Sequence, residues 1–162
     1  MPYGFDITNS PARLADRTDT KRPMILLSTS GTRLITSAPS PVFIACLRNY
    51  EAQIKELAQH HPRVALVGAG TRGEFREEDQ LCCAWIAAGL LTAGHEPLDE
   101  ATAQVIERWR GAPVDSFVTG KSTEYLRRTQ QLHDLDFILG HVNDLQEVFS
   151  YSHGEVTRVP TR

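Results

Sequence analysis

Cysteine is scarce in this chain. The residues Cys46, Cys82 and Cys83 make three, an odd number with neither the spacing of a disulfide framework nor that of a zinc finger, so all are read as structural thiols. Long hydrophobic runs are missing too. No apolar stretch reaches the roughly 18 residues that cross a bilayer, and no basic segment followed by a hydrophobic one opens the chain. A cytoplasmic protein is expected. Excess positive charge is also lacking: 17 Lys and Arg stand against 20 Asp and Glu, for a net charge of -3. Without a positive field, neither nucleic acid nor a membrane surface is an expected partner. The six histidines form no metal-binding array. The glycines do not follow the dinucleotide-binding spacing, and Gly120-Lys-Ser122 has Asp115 where a P-loop needs its first glycine.

What is present fits one ordinary domain. The 162 residues are 41% hydrophobic and 23% charged, the balance of a globular protein with a single core. The apolar run Met24–Ser28 reads as a strand, 32–37 as a short helix, and Val42–Leu47 as a second strand. Tyr50, Ile54 and Leu57 share a helical face over 50–60, and Arg63–Val67 then reads as a further strand before Gly68-Ala-Gly70. A long helix follows the acids at 77–79 and ends at Gly94; Asp99 caps another, and Ser122 caps a third running to about Leu132. Short strands near 148–151 and 156–159 join through Ser-His-Gly. This β-α-β rhythm predicts an α/β fold, a three-layer α/β/α domain whose sheet is mainly parallel with one antiparallel edge.

Two polar constellations carry candidate chemistry. Ser28-Thr-Ser-Gly-Thr-Arg33 follows an apolar run and opens a helix, where hydroxyls, backbone N–H groups and a guanidinium can converge on an anion. An ordinary polar turn with Ser30 as cap and Arg33 in solvent is the alternative. Gly68-Ala-Gly-Thr-Arg-Gly-Glu-Phe-Arg-Glu-Glu-Asp79 offers glycines for close approach, Arg72 for an anionic oxygen, and Glu74, Glu78 and Asp79 as hard ligands for a divalent cation. Its alternative is a set of acids that complement a helix N-terminus. Asp134-x-Asp136 lacks the apolar strand that presents a phosphatase nucleophile and reads as a solvated helix.

These segments occur in the order of one family. Gly4-Phe-Asp-Ile-Thr-Asn-Ser-Pro11, Ser28 through Ile35, Gly68 through Glu74, Glu78-Asp-Gln-Leu-Cys82 and Asp134 through Leu145 together resemble the 2-phosphosulfolactate phosphatase family. The resemblance implies a magnesium-dependent phosphomonoester hydrolase that converts (2R)-phosphosulfolactate to sulfolactate and phosphate in coenzyme M biosynthesis. It implies a small phosphorylated sulfo-acid as substrate and Mg2+ as cofactor. By position in the matched motifs, Asp6, Asn9, Thr29, Ser30, Gly31, Thr32 and Gly70 are substrate-binding, Arg33, Arg72 and Glu74 catalytic, and Glu74, Glu78 and Asp79 metal ligands. Ser30 stands where the family commonly has Asn. The family's early Asp-x-Leu-Arg-Ala-Thr-like motif has no counterpart before Gly4, so residues 1–162 are read as a shortened domain of this kind. A homo-oligomer or a partner chain is expected to supply missing site elements. The alternative expectation is a catalytically incomplete homologue that binds a phosphorylated acid or a partner chain.

Overall fold

A computed structural model describes residues 3–160. Two long helices dominate it, α3 (Tyr50–His60) and α4 (Glu77–Thr92). Leu81 and Ile86 on α4 are 0% and 1% exposed, and burying side chains of this kind contributes roughly 1.5–3 kcal/mol each. α3 packs against α4 at Gly89, where a Cβ would stand 2.4 Å from Ile54 Cδ1. The missing side chain sets that close approach. Helix α5 (Glu100–Trp109) is capped by Asp99, whose carboxylate accepts the Thr102 N–H at 2.8 Å. It docks on α4 through Trp109, whose indole N–H donates to Gln80 Oε1 at 2.7 Å.

The shorter helices close the molecule around this pair. These are α1 (Pro11–Ala15), α2 (Gly31–Ser37), α6 (Lys121–Arg128) and α7 (Leu132–Gly140), with a 3-10 turn at Val114–Phe117. The helix expected from Ser122 to about Leu132 is two helices. It breaks where Gln130 takes a positive φ of 59°.

The sheet corrects the expectation of a mainly parallel one. Its three strands, β1 (Val42–Ile44), β2 (Phe149–Ser152) and β3 (Glu155–Arg158), lie in that order and are antiparallel throughout. The β2–β3 hairpin turns on His153 and Gly154, at φ 52° and 86°, the left-handed pair that a two-residue hairpin turn requires. β1 meets β2 with Val42 opposite Tyr151 and Ile44 opposite Phe149. Asn49, 1% exposed, locks the end of β1: its amide donates to the carbonyls of Ile44 and Glu147, and its oxygen accepts the Cys46 N–H.

The two strands that would have made the sheet parallel do not form. Residues 24–27 and 64–67 carry no strand assignment, and among the described residues their backbone groups have no ladder partner. Four apolar residues in succession are the pattern of a strand covered on both faces. Here Met24, Ile25, Leu26 and Leu27 are 53–83% exposed. α3 links β1 to residues 64–67 as a crossover would, yet those residues do not join β1.

Candidate functional site

The hydroxyl-rich turn begins α2. Ser28 Oγ accepts the Thr32 N–H at 3.2 Å, and Thr32 Oγ1 donates to the Ser28 carbonyl at 2.7 Å. These two hydroxyls therefore fold the helix entrance around Gly31. Ser30 makes no side-chain cap; its Oγ accepts the backbone N–H of Arg72 at 3.0 Å. That one bond joins the two constellations that the sequence sets forty residues apart.

The second turn is held by its own backbone. Thr71 and Glu74 exchange N–H···O bonds of 3.0 and 2.9 Å, and Arg72 and Gly73 between them have φ of 53° and 79°. A turn with two left-handed residues results. For Arg72, a side chain in that region costs about 1–2 kcal/mol. Gly70, at φ 61°, is the position where only glycine fits: a Cβ there would lie 2.7 Å from the Glu74 carbonyl oxygen. Its N–H donates to Asp79 Oδ2 at 2.6 Å, which fastens the turn to the first turn of α4.

The three acids expected to act together take different partners. Glu74 lies 3.0 Å from Lys121 Nζ and 3.2 Å from Arg76 Nη1, and these cations, Lys121 foremost, hold its carboxyl below the usual range. Glu78 accepts the Ser122 hydroxyl on one oxygen, while its other, Oε2, is buried without a partner among the described residues. Asp79 receives Gly70. Among the described residues no three His, Cys, Asp or Glu side chains gather as a metal-holding group.

Glu78 and Asp79 line a groove of about 850 Å³ with Gly31 and Ser122 on its wall. Glu74 and Arg76 line an adjoining cavity of about 400 Å³, and Asp79 belongs to both. Thr29, Arg33 and Arg72 are exposed and line neither cavity. Asp6 and Asn9 are also exposed, and Asp6 stands 3.6 Å from Arg22 rather than in either cavity.

Some residues do what their local pattern hides. Asp134 is not solvated: it is 3% exposed and accepts the Ser10 hydroxyl at 2.5 Å and the Ala12 N–H at 3.2 Å, pinning α1 to α7. Ser122 serves Glu78 rather than capping α6. Cys82 and Cys83 fit the structural reading, since burial pushes the Cys82 thiol far up and Cys83 up to about 11. Cys46 departs from it and is exposed.

The family described as 2-phosphosulpholactate phosphatase matches residues 1–153. A protein of Parasynechococcus marenigrum (strain WH8102) named "Probable 2-phosphosulfolactate phosphatase" is 32% identical over 142 residues, covering 83% of this chain and 58% of its own. A protein of the same name from Clostridium perfringens (strain SM101 / Type A) is 28% identical over 162 residues, 96% of this chain and 64% of its own. A third, from Clostridium botulinum (strain Alaska E43 / Type E3), is 32% identical over 90 residues, 54% of this chain and 38% of its own. The matches thus span between 38% and 64% of these relatives' lengths. With most of its length inside the family match, the chain belongs to the 2-phosphosulfolactate phosphatase family.

Proposed function

We propose that this protein is a phosphomonoester hydrolase acting on (2R)-phosphosulfolactate, with the phosphoryl group seated where the turns at 28–33 and 70–74 meet. The observation that carries this reading is the Arg72 N–H bond to Ser30 Oγ at 3.0 Å. It draws the hydroxyls, the glycine backbone and two arginines toward the acidic start of α4, beyond the ends of two extended segments. In this reading the exposed Arg33 and Arg72 guanidiniums hold phosphoryl oxygens by charge-assisted bonds, and the Thr29 hydroxyl adds a donor.

The free oxygens of the three acids decide which of them suit a magnesium site. Magnesium is commonly held by one or two carboxylates, with substrate phosphate and water completing its shell. Glu78 fits through its partnerless buried oxygen, and Asp79 fits as its neighbour on the groove wall. Glu74 does not fit as well, because Lys121 and Arg76 already compensate its charge. Held by Glu78 and Asp79, Mg2+ would neutralise charge on the phosphoryl oxygens. We assign the water-orienting carboxylate to Glu78 rather than Glu74, since Glu78 keeps a partnerless oxygen while Lys121 and Arg76 occupy Glu74.

The test is phosphate release from (2R)-phosphosulfolactate with added magnesium. Glu78→Gln is expected to lower turnover at least about a hundredfold and Glu74→Gln less than about tenfold. The reverse order would refute the assignment. Magnesium-independent binding of the ester without any release would favour a catalytically incomplete homologue, a reading supported by the dispersal of the three acids.

A further inference from the structure

We infer that the large groove is the seat of apolar β-strands from a polypeptide segment equivalent to the part of the relatives that this chain does not match. Two stretches of chain outside the helices and turns, 42–46 and 64–69, line the groove, each roughly 15–20 Å long when extended. β1 is an edge of its sheet on one side of the groove, and 64–67 has no ladder partner among the described residues. A run of alternating N–H and C=O groups is satisfied in order by another strand, which is how strand addition recognises its partner.

The floor matches a strand's side chains better than a small anion. Leu57, Cys82, Ile86, Leu126, Leu135 and Ile138 line it, an apolar surface that a sulfo-acid bearing carboxylate, sulfonate and phosphate charges could not use. Two polar groups on residues that line the groove lack partners: Gln53 Oε1 and Thr123 Oγ1, on side chains 0% and 1% exposed, have none among the described residues. Outside the groove, Met24–Leu27 is a second apolar edge, ending in the turn that touches the one after Val67.

The occupant follows from the family's length. The Clostridium perfringens relative matches 96% of this chain with 64% of its own, so about a third of that protein has no counterpart in the match. Two strand-like stretches with an apolar floor are what such a segment would leave uncovered. A second copy of this chain is the competing occupant, and the experiment separates the two.

The 162-residue protein is mixed with a polypeptide comprising the residues of the Clostridium perfringens relative that lie outside the match. Native mass measurement is expected to find a one-to-one complex, and amide exchange at 24–27 and 64–67 to slow at least about tenfold in it. Val67 is 63% exposed and lines the groove, so Val67→Asp is expected to leave the isolated protein folded while weakening the complex at least tenfold. The inference is overturned if no complex forms, if one forms without slowing exchange at 64–67, or if Val67→Asp binds as well as wild type. A self-associated protein in which those amides are already protected also overturns it, in favour of the second copy. None of these readouts depends on phosphate release, so they stand apart from the phosphatase reading.

Discussion

Replacing Gly70 by alanine tests the geometry of the turn that carries Arg72. The residue has a φ of 61°, and its new Cβ would meet the Glu74 carbonyl oxygen at 2.7 Å. The left-handed conformation alone costs a non-glycine residue about 1–2 kcal/mol. The contact is with backbone, so the turn must move as well. Movement strains the Gly70 N–H bond to Asp79, a charge-assisted bond contributing about 1.5–3 kcal/mol. Together these make about 2.5–5 kcal/mol of local destabilisation. Gly73 supplies the control, for it has a φ of 79° with nothing within 4 Å of a Cβ. Gly73→Ala should therefore bear only the conformational cost. Amide exchange at Thr71 and Glu74, whose N–H groups close the turn, reads both variants. Roughly tenfold acceleration is expected for Gly73→Ala and a hundredfold or more for Gly70→Ala, each limited by the open-chain rate. Equal effects, or a larger one at Gly73, would refute the reasoning.

Other consequences are more local. Asp134→Ala strands the Ser10 hydroxyl and the Ala12 N–H, so it is expected to lose about 2–4 kcal/mol in chemical denaturation, with Asp134→Asn losing less because one acceptor remains. Indifference to both changes would remove the latch. At pH 8 iodoacetamide should label Cys46, which is exposed, and spare Cys82 and Cys83, whose thiols burial raises; labelling of either in the folded protein contradicts that burial. Glu74 should titrate below its ordinary value of 4.5, and Lys121→Ala should move its midpoint upward in an NMR titration. Because the folded carboxyl is the lower one, its small contribution to stability is present above the unfolded value and disappears as pH falls through the folded midpoint. An unmoved or lowered midpoint in Lys121→Ala would reject that cause.

Local signals in the sequence were dependable where one segment decided the outcome. The 50–60 periodicity, the acids opening α4, the Asp99 cap and the hairpin through Ser-His-Gly all appear where expected. The parallel sheet failed because a strand needs a neighbour. Met24–Leu27 and 64–67 have strand-like composition, but among the described residues nothing pairs with them. The two polar turns do meet, but not past the ends of parallel strands, since neither 24–27 nor 64–67 forms one. The bond that joins them, from a backbone N–H to Ser30 Oγ, was not legible. Asp134 and Ser122 were misread for the same reason: their partners, Ser10 and Glu78, lie far away in sequence. Side-chain type indicates the capacity for a bond, while the packing of helices α1, α4, α6 and α7 selects the partner.

Phosphate release from (2R)-phosphosulfolactate by the folded protein, with magnesium, bears most directly on the central reading of the two joined turns as a phosphoryl site. It should be followed with wild type and Arg72→Ala, each alone and with the strand-donating polypeptide. Saturable, magnesium-dependent release is predicted for wild type, falling about ten- to a hundredfold in Arg72→Ala as a charge-assisted contact is lost. A folded wild-type protein that releases no phosphate in either form, or an Arg72→Ala variant that matches wild type throughout the substrate titration, would contradict it.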